Sequence, residues 1–132
     1  MHIAGINWVA VLVAAAAFFA IGFVIHMKLV DLKAWDAAKH TDQAKLSKGR
    51  MASGMVLPLA TAIGLAILFS WANVTGVADG IKWALVVALA SALPVLWYNW
   101  FYGTAPVWIF LVDSAHQLIG HAVVGAILAG WR

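Results

Sequence analysis

INWVAVLVAAAAFFAIGFVIHMKL, residues 6–29, decides the fold. From Trp8 to Ile25 no side chain carries a charge or a strongly polar group. At about 1.5 Å per residue, such a run is long enough as a helix to cross a hydrocarbon layer of about 30 Å. Three further apolar runs, 51–73, 81–102 and 106–131, meet the same length. Tryptophan falls near the ends of all four and almost never in their middles. Trp8, Trp71, Trp83 and Trp131 mark one level; Trp97, Trp100 and Trp108 mark the other, with Trp35 just beyond it. Indole rings favour the headgroup zone, so the two levels read as aromatic belts and the eight tryptophans as interfacial anchors.

Composition agrees. The chain is 65% hydrophobic and 10% charged, which does not suit a water-soluble domain. Its polar segments are too short for a core of their own, so residues 1–132 read as one four-span membrane domain. The absence of cysteine excludes disulfides, thiolate metal sites and cysteine nucleophiles. The first run lacks a basic leader and is too long for a signal-peptide core, and is read as a retained helix. The net charge of +3 is no nucleic-acid signal, because most cationic residues lie in one connector. Lys28, Lys33, Lys39, Lys45, Lys48 and Arg50 stand between the first two spans; Lys82 and Arg132 belong to the opposite level. The positive-inside bias places the connector in the cytoplasm and both termini outside.

Within the connector, 31–50, Leu32, Trp35 and Ala38 recur at helical spacing beside Lys33, Asp36 and Lys39. This predicts a short helix in the interface with its lysine stems snorkelling, and Thr41 capping a second turn. The connector reads as a membrane-hugging link or as a binder of anionic lipid. Gly76 to Gly80 form the second turn, and Asn73-Val74-Thr75 is a glycosylation sequon at the membrane edge, where it is discounted. The third turn is Gly103-Thr104-Ala105-Pro106, its proline suited to a helix start. Pro58 and Pro94 lie inside spans and should kink them, each freeing a carbonyl one turn earlier. Kinked spans shape cavities, and they also occur in purely structural helices. Small residues four apart, Ala60 and Gly64, Ala122 and Ala126, Gly125 and Ala129, mark packing faces within a bundle or at a dimer seam.

The fourth span carries a polar stripe. Asp113 is its only acidic residue, and the only one within the core of any span, about 10 Å from Pro106 along the axis. An ionised carboxylate there costs several kcal/mol unless paired or hydrated, so it faces protein or stays protonated. His116, Gly120, Asp113, Gln117 and His121 share an arc of about 140°; Leu111, Ala115, Leu118, Ile119 and Ala122 cover the other side. Asp113 and His116 are close enough along the helix to interact directly. His116 and His121 are too far apart around the helix to chelate one metal, so no metal site is expected without ligands from other helices. His26 and Asn99 stand at a level close to Asp113. Asn7 and Asn73, at the far end, are expected to cap or bridge helix ends.

Three chemistries fit this set. The first is interhelical glue that fixes the register of the bundle. The second is a site for a proton, ion or small polar ligand. The third is axial ligation of a haem or chlorophyll-type pigment by a histidine. Catalysis finds no nucleophile beside the Asp113–His116 pair, since Ser114 points about 100° away.

Asn99-Trp100-Phe101-Tyr102-Gly103, followed by Trp108-Ile109-Phe110-Leu111-Val112-Asp113-Ser114-Ala115-His116, resembles the closing block of a bacterial membrane family catalogued as domain of unknown function 1761. Ile6-Asn7-Trp8, Gly22, Lys33-Ala34-Trp35 and Gly125-Ala126-Ile127-Leu128 with Trp131 extend the resemblance over nearly the whole chain. The family usually shows a Trp-Tyr pair after the glycine of its first helix; Ile25 and His26 stand there here. The resemblance implies a four-span bacterial protein without an assigned activity and directs attention to Asn99 and His116. We therefore expect an all-α bundle in a bacterial cytoplasmic membrane, without a cofactor and without catalysis. Its expected role is that of a structural or accessory subunit that self-associates or joins a larger membrane complex. The alternatives are an oligomeric carrier using Asp113 and His116, with its path between protomers, and a pigment-binding subunit.

Overall fold

The computed structural model describes residues 2–3, 5–42 and 45–131. Arg132, counted above for orientation, lies outside them. A two-residue strand β1 (His2–Ile3) pairs antiparallel with β2 (Ile6–Asn7), turning through Gly5 at φ 75°. Everything else that is regular among the described residues is helical: α1 (Trp8–Val24), α2 (Leu32–Lys39), α3 (Lys48–Ser53), α4 (Val56–Trp71), α5 (Val77–Val87), α6 (Leu93–Phe101) and α7 (Val107–Gly130), with π turns between some of them. They group into four helices long and apolar enough to cross a membrane: Trp8–Leu29, Lys48–Trp71, Val77–Phe101 and Val107–Gly130.

Each helix end has a local cause. The Asn7 side chain accepts from the N–H groups of Val9 and Ala10, capping α1. Its amide also donates to the Trp131 carbonyl at 3.0 Å, so one side chain both caps and bridges. This bond puts the start of the first span beside the end of the last. Asn73 sits at φ 51° just past α4, and Val74 N–H reaches back to the Phe69 carbonyl at 3.0 Å. That is a Schellman closure with asparagine in the left-handed position glycine usually holds. Helix α5 starts at Val77, four residues ahead of the expected start, because the turn is complete at Gly76 (φ 84°) and Gly80 is helical. Ser47, and not Thr41, caps the helix leading into the second span: its hydroxyl accepts from Arg50 N–H. Thr41 instead donates to Asp36 at 2.8 Å.

Both prolines break their helices as their missing N–H requires. The second span is interrupted at Gly54–Met55, one turn before Pro58. The third passes through a π-helical turn, Ala88–Ala92, just before Pro94. A second π turn, Ile25–Leu29, ends the first span and carries His26.

Helix α7 packs against both α5 and α1, and α1 packs against α4. Where α5 crosses α7, Gly80 and Gly125 meet backbone to backbone; a Cβ on either would collide with the carbonyl of the other. Phe18 lies over Gly120 in the same way, and its fully buried ring joins α1 to α7. Not every small-residue pair is used. Ala60 and Gly64 are exposed, and a Cβ on Gly64 would touch nothing within 4 Å.

Candidate functional site: the polar stripe of the last helix

The stripe faces inward as its arc requires. Gly120 and His121 are buried, Asp113, His116 and Gln117 are partly buried, and Leu111 and Ile119 are exposed on the opposite side. Its members do not form one cluster. They divide into three groups by the helix each one meets.

Asp113 is the centre of the first group. Its Oδ1 lies 3.3 Å from His26 Nε2, and its Oδ2 accepts from Lys39 Nζ at 2.8 Å. The carboxylate thus ties α7 to the end of the first span and to α2. Its sequence-expected partner, His116, is not in contact with it through a hydrogen bond among the described residues. The π turn turns His26 toward α7, and His26 Nδ1 donates to the Gly22 carbonyl at 2.8 Å. A carbonyl only accepts, so Nδ1 must carry hydrogen. The Nε2–Oδ1 contact then needs a second hydrogen, from an imidazolium or from the acid form of Asp113. Asn99 is exposed and makes no hydrogen bond to Asp113 among the described residues; it shares with Asp113 and Lys39 the wall of a cavity of about 170 Å³.

Trp35 roofs this group. The sequence marks it as an interfacial anchor, yet it is only 3% exposed. Asp31 caps α2 by accepting from Lys33 and Ala34 N–H, and the helix folds back onto the end of the bundle. Trp35 then stacks edge-on with His26 (4.7 Å between centroids) and Trp108 (5.8 Å), with Lys39 Nζ 4.3 Å from its ring centre. The other tryptophans vary: Trp71, Trp83, Trp97 and Trp131 are well exposed, while Trp8, Trp100 and Trp108 are partly buried.

His116 belongs to the second group. It turns toward α1, where Gly22 leaves room: a Cβ on Gly22 would lie 2.6 Å from His116 Nε2. The Phe18 backbone engages the imidazole as well, while Nε2 is buried without a partner. The ring is edge-on to Phe18 at 5.2 Å and to His26 at 5.3 Å. His121 and Gln117 form the third group. His121 Nδ1 donates to the Gln117 carbonyl at 2.8 Å. Both line a groove of about 370 Å³ with Thr61 and Ser91. Phe18 stands between His116 and His121, edge-on to both. No continuous hydrogen-bonded chain of imidazoles therefore runs along α7.

A haem or pigment finds poor footing on His26, which has both ring nitrogens engaged. His116 Nε2 abuts α1 at Gly22, and its ring borders a cavity of about 300 Å³ together with His26. No group of three or more metal-binding side chains occurs among the described residues. Sequence reasoning missed Lys39 as a partner of the site. Its signal was present: a lone intramembrane carboxylate needs cations, and Lys39 stands one turn after Trp35 on the only amphipathic connector.

Four apolar spans around an inward polar stripe define an all-α, multi-pass membrane protein. Residues 9–129 match the model of a family described as protein of unknown function (DUF1761), and the chain belongs to that family. No curated protein and no solved structure matches it.

Proposed function

We propose that this protein is a small non-catalytic subunit of the bacterial cytoplasmic membrane, with its lysine-rich connector inside and both ends outside. It acts as a scaffold that associates with copies of itself or with a larger membrane complex. The observation that carries this reading is the occupancy of Asp113. The one intramembrane carboxylate is held on both oxygens by cationic or proton-bearing groups of this same chain. A carboxylate engaged in this way fixes register between helices rather than waiting for a substrate. The small exposed faces of the bundle, Ala60 and Gly64 among them, suit contact with another membrane helix.

The test combines stability and assembly. In mild detergent, Asp113→Ala should lower the melting temperature, and the wild-type protein should run as an oligomer or with a copurifying chain. An unchanged melting temperature, or a lone monomer from gently solubilised membranes, would overturn the reading.

One observation favours a carrier as the second reading. Cavities border the stripe at two depths, one with Asn99 and Asp113 and one with Gln117 and His121. Proteoliposome flux that disappears in Asp113→Asn while the fold survives would favour the carrier over the scaffold.

A further inference from the structure

A cavity of about 300 Å³ separates the end of the first span from the start of the second. This is at the small end of the range for ligand pockets. Two backbone irregularities border it. Pro58 interrupts the second span at Gly54–Met55, and the π turn at Ile25–Leu29 ends the first. Its walls are mostly apolar, with Phe19, Phe23, Met27, Met51 and Leu57 contributing, and His26 and His116 also line it. Phe23, Met51 and Leu57 are well exposed on the flank of the bundle, so the cavity opens sideways, toward acyl chains.

Arg50, the one lysine or arginine in its lining among the described residues, stands at its mouth. It is the third residue of the second span and therefore lies at headgroup depth. Lys39, Lys45 and Lys82 each pair with a carboxylate; Arg50 has no such partner among the described residues. An unpaired guanidinium over an apolar slot is complementary to a phosphate carrying a hydrocarbon chain. Guanidinium binds phosphate through two parallel hydrogen bonds, and its stem can lie along the apolar wall. A soluble anion would leave the slot empty, and a zwitterionic phospholipid would bring a cationic headgroup beside Arg50 along with its phosphate, offsetting the attraction.

We propose that this cavity binds one anionic phospholipid from the leaflet on the side of α2 and α3, its phosphate on Arg50 and one acyl chain between α1 and α4. The site does not depend on the scaffold role and would serve a carrier equally.

Native mass spectrometry of the full-length protein, titrated in detergent with phosphatidylglycerol or phosphatidylcholine, tests it. The first lipid bound should favour phosphatidylglycerol by about fivefold, the weight of one interfacial cation. Arg50→Gln should abolish that preference, and Lys48→Gln, two residues earlier, should keep it. Leu57→Trp, at the rim, should weaken binding of both lipids. Equal binding of the two lipids by the wild-type protein would overturn the proposal. So would an Arg50→Gln protein that keeps the preference, or inorganic phosphate that displaces phosphatidylglycerol. If Arg50→Gln does not fold, the wild-type lipid comparison and the Leu57→Trp protein decide the matter alone.

Discussion

Asp113 shows how one side chain can set the chemistry of a helix interior. A carboxylate at its depth needs partners, and it has two, His26 Nε2 at 3.3 Å and Lys39 Nζ at 2.8 Å. Removing it leaves Lys39 without its acceptor and His26 Nε2 without its partner. Asp113→Ala is expected to cost about 2 kcal/mol, the range for a group deprived of a charged partner. Lys39→Ala should cost less, about 0.5 kcal/mol, because the lysine is itself partly exposed and must give up side-chain freedom to reach the carboxylate. Thermal unfolding in detergent checks both, and a double-mutant cycle with His26→Ala isolates the imidazole's share. Equal costs for Asp113→Ala and Lys39→Ala would mean that His26 contributes nothing. The sequence made part of this legible. The arc through Asp113, Gln117 and His121 announced an inward stripe, and the level of His26 placed it near the carboxylate. It did not separate His116 from Asp113. Three residues along a helix permit contact, but the imidazole followed the space left by Gly22 on a helix far away in sequence.

Between elements, the decisive contacts are close approaches of backbone. At the α5–α7 crossing, Gly125→Val should destabilise the bundle by about 1–3 kcal/mol or more, the cost of forcing volume into a filled space. Gly64→Ala is the control. Its new methyl meets nothing, and alanine favours a helix over glycine by up to about 1 kcal/mol, so the fold should be unharmed. A Gly125→Val protein as stable as wild type would show that α5 and α7 can separate without loss. Helix α2 depends on Trp35, whose ring is buried against His26 and Trp108. Trp35→Ala should release α2 from the bundle and expose the 31–50 connector to limited proteolysis, with the four spans still helical by circular dichroism. The spans themselves were readable from length and hydropathy, since burial in lipid demands both. The turn at Gly76 was less so. Glycine at position 80 looks like a second turn residue until its partner Gly125 is known, and that partner is distant in sequence.

At the scale of the whole molecule, α1 and α7 share the centre, and the first span starts where the last one ends, joined by Asn7 and the Trp131 carbonyl. The connector with α2 and α3 lies at the other end. The chain has no cysteine, so single introduced thiols report sidedness without background. A membrane-impermeant maleimide added to intact cells should label Thr75→Cys and leave Ser47→Cys unlabelled until the membrane is opened. The reverse pattern would invert the proposed orientation while leaving every contact within the bundle unchanged. The lysine distribution supports that orientation but is an argument about insertion, not about packing, which is why the fold alone does not carry it.

The two π turns give the molecule an unusual tolerance. Each holds one residue more than an ordinary α-helical turn would. Losing a single residue from a regular helix spins everything beyond it by about 100°. Losing one from a π turn lets that turn tighten to α, and the tightening takes up most of the rotation. Excising Ala90 should therefore leave Trp97 near Phe110, which it now meets at 5.6 Å. The chain can thus shorten by one residue at these two points with less harm to the packing beyond them than anywhere else in the same spans.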